Sequence, residues 1–304
     1  MRRSTGIAFV AVAAALWGTD ALFRRPLAHS TSVATIVFGE HLILVVIVLP
    51  LLLPAFRAVW RLGWRGLLAA LTIGAGASAV ATILFTQAFV DGDPVTPVVL
   101  QKVQPLVAVV GARLVLGERP RHRFVWYLAA AIVGTWLMGI RHPLHPGERS
   151  TLVPALYALA AAVLWAFGTV LGRYLARVLA FQHVTTLRFA FGLPASGIAL
   201  LVLGGPAFAS AHDTLWIGYL AVVTGAIALG LYYYGLRSTP AVAATLAELA
   251  FPVTAALIGY IAFDATLTLT QWIGVGITSL VVVLLPARPR DTVDLVAVPA
   301  PAPA

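Results

Sequence analysis

The chain has 304 residues, of which 61% are hydrophobic and only 10% are charged, and its mean hydropathy is +0.96. Soluble domains carry about 25% charged residues, so the composition excludes an ordinary soluble protein and indicates an integral membrane protein. The absence of cysteine excludes disulfides and thiolate sites, and the net charge of +9 lies mainly between apolar runs, which does not indicate a nucleic-acid partner.

Apolar runs of roughly 17–25 residues predict the membrane-spanning helices. In chain order there are about ten, at residues 6–27, 32–54, 67–90, 95–116, 124–140, 153–175, 180–203, 215–236, 241–262 and 268–285. The loops between them are too short to fold as a soluble domain. The predicted fold class is therefore an all-α integral membrane protein with about ten transmembrane helices.

Basic residues are distributed unequally between the two sets of alternating loops. With a cytoplasmic N-terminus, about thirteen lie inside and four outside, and three lie within spans, namely Lys102, Arg113 and Arg188. Positively charged loops face the cytoplasm in membrane proteins. We therefore expect a multi-pass protein with both termini cytoplasmic.

The first predicted helix recurs in the second half of the chain. Residues 16–28, LWGTDALFRRPLA, match residues 164–176, LWAFGTVLGRYLA, at an offset of 148. An offset of 147 or 148 also pairs Trp17 with Trp165, Glu40 with Arg188, Gln101 with Glu248, and Pro105 with Pro252. Each half has five predicted helices, and because five is odd, the second copy enters the membrane in the opposite sense. Such inverted repeats are typical of secondary transporters.

The repeat defines the predicted domain organisation. In chain order we predict a cytoplasmic N-terminus at 1–5, a first five-helix repeat at 6–140, a connecting loop at 141–152, a second five-helix repeat at 153–286, and a disordered cytoplasmic tail at 287–304. His142 and His145 in the connection are spaced as metal ligands could be. No cysteine or carboxylate pair completes a set, so we predict a solvated linker and no metal site.

Two matching segments, 95–118 and 239–264, carry polar residues just before an internal proline. Pro105 and Pro252 cannot donate to the carbonyl four residues back, so the carbonyls of Gln101 and Glu248 need other partners in the membrane. Each repeat therefore places a loosened backbone beside a polar side chain. This pattern predicts a transport site with the prolines as structural or hinge residues and with Gln101 and Gln104 beside the substrate.

Lys102 and Glu248 lie within these segments and need compensation, because a charge at the centre of a membrane helix costs about 2.5–3.5 kcal/mol. One interpretation is that both line a single cavity, where Lys102 binds an anionic group and Glu248 binds an amine or a proton. The other is that each pairs with another buried group and only supports the fold. Since burial disfavours a charged carboxylate, Glu248 is also the first proton-coupling candidate.

Glu40 and Arg188 occupy equivalent positions in the two repeats and have opposite charges. They form an ion pair in one interpretation and contact the substrate or find separate partners in the others. Because histidine is the residue type that ordinarily titrates near neutral pH, His41 is a second proton-coupling candidate, although a lone histidine is more often simply hydrogen-bonded. Asp20 and Arg24 are one helical turn apart, which predicts a local pair.

Aromatic side chains add candidate substrate contacts. Trp17, Trp165 and Tyr234 could stack on an aromatic or amine substrate, although aromatic residues also pack between helices or at membrane interfaces. The sequence contains no Walker A, HExxH or GxSxG motif. We therefore predict no enzyme and no cofactor, and a transporter driven by gradients.

Several motifs together resemble the EamA family of the drug/metabolite transporter superfamily. They are an LW-G segment in the first helix of each half, a TP…P helix that ends in LGE at Leu116, Gly117 and Glu118, and a YYYGL segment at 232–236. The resemblance covers nearly the whole chain and implies a ten-helix carrier of the bacterial inner membrane, usually an exporter of amino acids or related metabolites. Two positions depart from the pattern: Glu40 replaces an arginine in the first half, and Phe263-Asp264 replaces Gly-Glu in the second.

These observations predict a secondary transporter that exports a small polar metabolite, most simply an amino acid or a derivative, by alternating access, with proton coupling left open. An importer or facilitator of a vitamin-like or nucleobase-like compound is the first alternative, and a non-transporting membrane interaction or sensory protein is the second. The expected partners are the substrate and membrane lipids, and small-residue helix faces permit a homodimer.

Overall fold

The computed structural model describes residues 3–91, 100–139, 152–262, 266–287 and 293–295. In the first half the α-helices are α1 Arg3–Gly18, α2 Asp20–Ser30, α3 Val33–Val48, α4 Leu52–Trp60, α5 Gly63–Leu71, α6 Ala81–Asp91, α7 Gln104–Gly111 and α8 His122–Gly139. Short 3₁₀ turns at Leu49–Leu51 and Gln101–Val103 and π-helical stretches at Thr72–Val80 and Ala112–Leu116 join some of them.

The second half repeats this pattern. Its helices are α9 Leu152–Ala176, α10 Phe181–Leu203, α11 Ala211–Tyr219, α12 Ala228–Leu236, α13 Ala241–Ala247, α14 Ala250–Ala262 and α15 Leu269–Ala287, with a π-helical stretch at Leu220–Ile227. Two short strands, β1 Glu118–Pro120 and β2 Val293–Leu295, complete the described structure.

Seven of the continuous helical segments in the described residues are long and apolar enough to cross a membrane. They are Ser4–Arg24, Val33–Trp60, Gly63–Ala88, Leu152–Ala176, Phe181–Leu203, Ala211–Leu236 and Ala241–Ala262, and two shorter apolar helices lie at Gln104–Leu116 and Leu269–Leu285. Large apolar side chains cover the outside, among them Leu114, Trp126 and Leu201, where lipid replaces water as the solvent. A multi-span helical membrane protein is thus confirmed, and the count of ten spans stays a prediction.

The two halves pack reciprocally. Helix α1 of the first half lies against α12 and α14 of the second, while α9, its repeat equivalent, lies against α6 and α7 of the first. Glycine allows the closest approach between α1 and α12: a Cβ on Gly235 would lie 2.6 Å from the carbonyl oxygen of Gly6. The buried core therefore forms between the halves rather than within each one.

The third membrane-spanning segment of each repeat, Gly63–Ala88 in the first and Ala211–Leu236 in the second, changes from α-helix to π-helix at equivalent positions. The stretches begin at Thr72 and Leu220, which are 148 residues apart. The first stretch, TIGAGASAV, is rich in small residues, and a Cβ on Gly74 would lie 2.7 Å from the carbonyl oxygen of Arg188. π-helical turns occur frequently at functional sites. The irregularity next to Arg188 therefore indicates that the region around this residue is a candidate functional site.

Three residues of the tail that was predicted to be disordered, Val293–Leu295, form strand β2. Strand β2 pairs antiparallel with β1, in a register that sets Glu118 opposite Leu295 and Pro120 opposite Val293. Strand β1 follows the π-helical stretch Ala112–Leu116 and Gly117, and pairing with the tail gives partners to backbone groups of β1 that a lone strand would leave free. The predicted linker at 141–152, with His142 and His145, lies outside the described residues apart from its last position.

Candidate substrate site

The helix that carries Glu248 is interrupted at that residue. Glu248 and Leu249 form a turn between α13 and α14, and the carbonyl of Glu248 accepts from the backbone N–H of Phe251 at 3.0 Å. In the first half, the carbonyl of Gln101 accepts from the N–H of Gln104 where the 3₁₀ turn meets α7. The carbonyls that the prolines cannot serve thus find partners three residues away.

The Glu248 carboxylate accepts hydrogen bonds from three neutral donors. The Tyr232 hydroxyl and the Thr169 hydroxyl donate to Oε1 at 2.8 and 3.0 Å, and the Gln104 side-chain amide donates to Oε2 at 2.8 Å. Gln104 belongs to the first repeat, whereas Thr169 and Tyr232 belong to the second. Both halves of the protein therefore hold this carboxylate, and relative movement of the halves would change its surroundings.

A cavity opens beside Glu248 between the two proline-containing segments. The cavity is small, with a volume of about 40 Å³. Its lining consists of Gln101, Gln104, Pro105, Ala131, Ile132, Thr135, Thr245, Glu248, Leu249, Phe251 and Pro252. Five candidates from the sequence, the two glutamines, the two prolines and Glu248, thus meet at one place, while the side chain of Lys102 lies outside the described residues.

The aromatic candidates lie elsewhere. Trp17 donates from its indole nitrogen to the carbonyl of Thr224 at 3.0 Å, and its ring is 5.1 Å from that of Tyr232, so it supports the tyrosine that holds Glu248. Trp165 packs edge-on against Phe85, with ring centroids 4.9 Å apart. Tyr234 packs against Phe9 and Phe181 at 5.0 and 5.4 Å. None of these three residues lines the cavity.

Arg24 connects two carboxylates. It forms an ion pair with Asp20 one helical turn before it through Nε and Nη2, as the sequence predicts, and Nη2 also lies 2.7 Å from Glu40 Oε1. The Thr224 hydroxyl also lies 3.3 Å from Asp20. Glu40 is therefore paired within its own repeat, and the interpretation that pairs it with Arg188 is wrong.

Arg188 instead bridges neutral groups. Its Nε donates to the Ser78 hydroxyl at 3.2 Å, and its terminal nitrogens donate to the Tyr233 hydroxyl at 3.1 Å and to the Ala77 carbonyl at 3.2 Å. His41 lies behind Ser78, with Nε2 3.0 Å from the hydroxyl and Nδ1 2.8 Å from the carbonyl of Val37. A carbonyl only accepts, so Nδ1 carries a proton, and His41 fixes the serine that receives Arg188.

Comparison with known proteins identifies the fold and the family. The model of the EamA-like transporter family matches residues 4–140 and 152–286. The chain belongs to this family. A solved structure superposes with a TM-score of 0.70 at 20% identity, over 95% of this chain and 99% of its own, which shows that the fold is shared.

Two curated relatives of this EamA-like transporter are themselves transporters. The riboflavin transporter ImpX of Fusobacterium nucleatum subsp. nucleatum is 29% identical over 274 residues, which cover 84% of this chain and 89% of ImpX. The uncharacterized inner membrane transporter YedA of Escherichia coli is 29% identical over 148 residues, 44% of this chain and 47% of YedA.

In the described ranges, no three histidine, aspartate or glutamate side chains are grouped so that they could hold a metal ion.

A second buried ion pair of this EamA-like transporter was not predicted from the sequence. Arg173 Nε lies 3.6 Å from Oε1 of Glu118, and both side chains are at most 7% exposed. Arg173 also donates to the carbonyls of Leu236, at 2.6 Å, and Arg237. Burial raises the pKa of Glu118, while the charge of Arg173 opposes this increase. The LGE motif and the recurrence of an arginine at 25 and 173 were the signals available for this pair.

The hydroxyl groups around Glu248 and Arg188 had weaker signals. Tyr232 enters the sequence analysis only as part of the YYYGL segment at 232–236, although its hydroxyl donates to Glu248. Thr169 and Ser78 lie in long apolar runs, where serine and threonine more often bond to their own helix. Only the packing of helices from different parts of the chain shows that they face the charged residues.

Proposed function

We propose that this EamA-like protein is a secondary transporter that binds a small polar metabolite at Glu248 and exposes it to either side by movement of its two halves. The observation that supports this most directly is the construction of the Glu248 site: one repeat supplies Gln104, and the other supplies the carboxylate, Thr169 and Tyr232. A site shared in this way changes when the halves rock, as alternating access requires.

The proposed membrane arrangement has ten spans in two inverted repeats, in the bacterial inner membrane, with both termini cytoplasmic. The transporter has no catalytic activity in this proposal. Export of an amino acid or a derivative suits a carboxylate that faces a cavity, because an amine can donate to Glu248. A proton on Glu248 is the coupling ion we propose to test first.

Import of a vitamin-like compound is a second candidate, favoured by the likeness to ImpX over 84% of this chain. The cavity would have to widen to hold such a ring system, but its lining has suitable chemistry. Gln101 and Gln104 supply amides that both donate and accept, and Phe251 supplies an aromatic face. The two candidates differ in substrate and direction but use the same site.

The test is flux into and out of proteoliposomes that contain the purified protein, with amino acids and riboflavin as probes and with or without a pH gradient. Glu248→Gln should abolish saturable flux, or leave a residual flux that no longer depends on the gradient. Asp213→Asn, which removes a carboxylate at the exposed start of α11, is the matched control and should transport normally.

Unchanged, gradient-dependent flux in Glu248→Gln would remove this residue from the proposal. Absence of flux for every probe, from folded protein that is correctly inserted, would favour a non-transporting membrane protein over both transport candidates.

A further inference from the structure

Arg188 differs from Arg24 and Arg173, the other partly or fully buried arginines discussed above. Arg24 is paired with Asp20 and Glu40, and Arg173 lies beside Glu118. Among the residues that the structure describes, no carboxylate forms an ion pair with Arg188. A guanidinium in the interior of a membrane protein is costly without a negative partner. The positive charge of Arg188 is therefore available to bind an anionic group of a ligand.

The three contacts of Arg188 fix the side chain without neutralising it. A guanidinium has five N–H groups, and the described contacts with Ser78, Tyr233 and Ala77 use one on Nε and one on each terminal nitrogen. One N–H therefore remains on each terminal nitrogen. Arginine binds carboxylate and phosphate oxygens through two such parallel N–H groups.

The surroundings of Arg188 restrict its movement. Its helix approaches the π-helical stretch so closely that a Cβ on Gly74 would lie 2.5 Å from the Cβ of Phe191. On the same face, a Cβ on Gly192 would lie 2.4 Å from the ring of His41, and His41 in turn holds Ser78. Arg188 is thus held in position by its neighbours, which is what a binding residue needs.

Arg188 and Glu248 are held by adjacent residues of α12. The Tyr232 hydroxyl donates to Glu248, and the Tyr233 hydroxyl accepts from Arg188. The rings of the two tyrosines are 5.2 Å apart. Two partly buried groups of opposite charge therefore lie on either side of one tyrosine pair without forming an ion pair in the described structure.

We propose that Arg188 binds an oxyanion group of the transported molecule, a carboxylate or a phosphate, while Glu248 binds a hydrogen-bond donor of the same molecule. This inference rests on the proposed transport function and narrows the substrate to compounds that carry both groups. Ser78 and His41 act on the substrate only through Arg188 and are positioning residues.

The experiment compares pairs of probes that differ only in the oxyanion, in proteoliposomes and by thermal stabilisation of the purified protein. One arm uses amino acids against their amides, and the other uses riboflavin 5′-phosphate against riboflavin. The wild-type protein should prefer the acid of one arm by about tenfold or more, because a bidentate charged contact is lost with the neutral probe. The arm that shows the preference distinguishes a carboxylate from a phosphate.

Arg188→Gln should remove this preference by raising the KM for the acid while leaving that for the neutral probe nearly unchanged. Arg188→Lys retains the charge without the fork and should keep part of the preference, which also guards against misfolding of the glutamine variant. Arg57→Gln, which removes an exposed guanidinium from α4, is the control and should behave like the wild type.

Ser78→Ala tests the positioning role, because it leaves the charge of Arg188 in place. It should raise the KM for the acid, by less than Arg188→Gln does, and leave kcat unchanged. The proposal is overturned if neither arm shows a preference for the acid, by flux or by stabilisation, or if Arg188→Gln weakens acid and neutral probes equally. Failure of the transport proposal looks different, since stabilisation by the acid probe would persist without any flux.

Discussion

At Glu248, hydrogen bonds rather than an ion pair compensate a partly buried carboxylate. The three donors come from Gln104, Thr169 and Tyr232, and each can also rotate to serve a bound molecule. Neutral donors of this kind hold the carboxylate but can be displaced from it. A paired cation would occupy the carboxylate more permanently. A substrate amine can therefore compete for Glu248 at a modest cost.

Tyr232→Phe tests the contribution of one donor. The change removes the hydroxyl that lies 2.8 Å from Glu248 and 3.0 Å from Thr169, while the ring remains against Trp17. A hydrogen bond to a charged group contributes about 1.5–3 kcal/mol, so we expect kcat/KM for transport to fall by about 10- to 100-fold. The measurement is initial uptake in proteoliposomes at several substrate concentrations.

Tyr234→Phe is the matched control, two positions along the same helix. In the described structure the Tyr234 ring packs against Phe9 and Phe181 and lines no part of the Glu248 cavity. Its loss of one hydroxyl should leave kcat/KM within about twofold of the wild type. Equal losses in both variants would mean that removing any tyrosine hydroxyl from α12 lowers transport, and that the bond to Glu248 has no special role.

The sequence located part of this site but not the partners of its charges. The repeated prolines and the costs of burial pointed to Gln101, Gln104 and Glu248, because those signals are local. Repeat alignment made Glu40 and Arg188 equivalent, yet equivalence by symmetry does not mean contact, and Glu40 pairs with Arg24 instead. Hydroxyl groups in apolar helices carry no signal of their own, so Thr169 and Ser78 were missed.

At the level of helices, the contact between α1 and α12 depends on glycine. A Cβ on Gly235 would lie 2.6 Å from the Gly6 carbonyl oxygen and 2.9 Å from the Cβ of Phe9. Gly235→Ala should therefore force the helices apart and destabilise the protein by about 1–3 kcal/mol, the usual cost of overpacking. The measurement is the thermal midpoint of the detergent-solubilised protein.

Gly230→Ala provides the control on the same helix. A Cβ at Gly230 would meet no atom within 4 Å, so the same chemical change there should leave the midpoint unchanged or raise it slightly through better helix propensity. If both variants lower the midpoint equally, backbone effects rather than the α1–α12 contact explain the loss.

The ion pair of Glu118 and Arg173 joins the strand that follows the helical segment Gln104–Leu116 to helix α9. Removal of one partner from a buried pair typically costs about 3–5 kcal/mol, so Arg173→Gln should strongly lower stability at neutral pH. The double variant Glu118→Gln with Arg173→Gln should recover much of the loss, because no buried charge is then left alone. A double variant as unstable as the single one would show that the carbonyl contacts of Arg173 matter more.

The loss in Arg173→Gln should also depend on pH. Burial raises the pKa of Glu118 and Arg173 opposes this increase, so the variant raises that pKa further. A carboxyl group with a higher pKa in the folded state takes up a proton on folding, which stabilises the folded state at low pH and is lost as pH rises through the folded pKa. The deficit should therefore be smallest near about pH 5 and grow toward about pH 8, as thermal midpoints at several pH values would show.

Helices were more predictable than their irregularities. The run predicted at 241–262 is an observed segment with the same bounds, Ala241–Ala262, because 17 of its 22 residues are hydrophobic and carry a strong signal. The interruption at Glu248 followed from Pro252. The π-helical stretches and the pairing of β2 with β1 did not follow from any local pattern, since both depend on which helices and loops become neighbours.

For the whole molecule, reciprocal packing is the main evidence for how the halves relate. Helix α1 contacts α12 and α14 in the second repeat, and α9 contacts the equivalent helices α6 and α7 in the first. Such an exchange is what a pseudo-two-fold axis produces, and it places Glu248 and Gln104 at the junction. Rocking of one half against the other would thus act first on the proposed site.

Inverted repeats place equivalent residues of the two halves on opposite sides of the membrane. Because the chain has no cysteine, single introduced cysteines can test this placement. Ser30 and Val178 are repeat equivalents, 148 residues apart, and both are exposed at the ends of helices. Parallel repeats would place them on the same side of the membrane. Inverted repeats with a cytoplasmic N-terminus place Ser30 outside and Val178 inside.

Single-cysteine variants at these positions should therefore react differently with a membrane-impermeant maleimide. In intact cells, Ser30→Cys should be labelled, and Val178→Cys should be labelled only after the inner membrane is permeabilised. Trp60→Cys and Phe208→Cys, at exposed loop ends 148 residues apart, extend the test with the opposite assignment, Trp60 inside and Phe208 outside. Equivalent positions that label on the same side would exclude inverted repeats, and a reversal of all four would retain the repeats but place both termini outside.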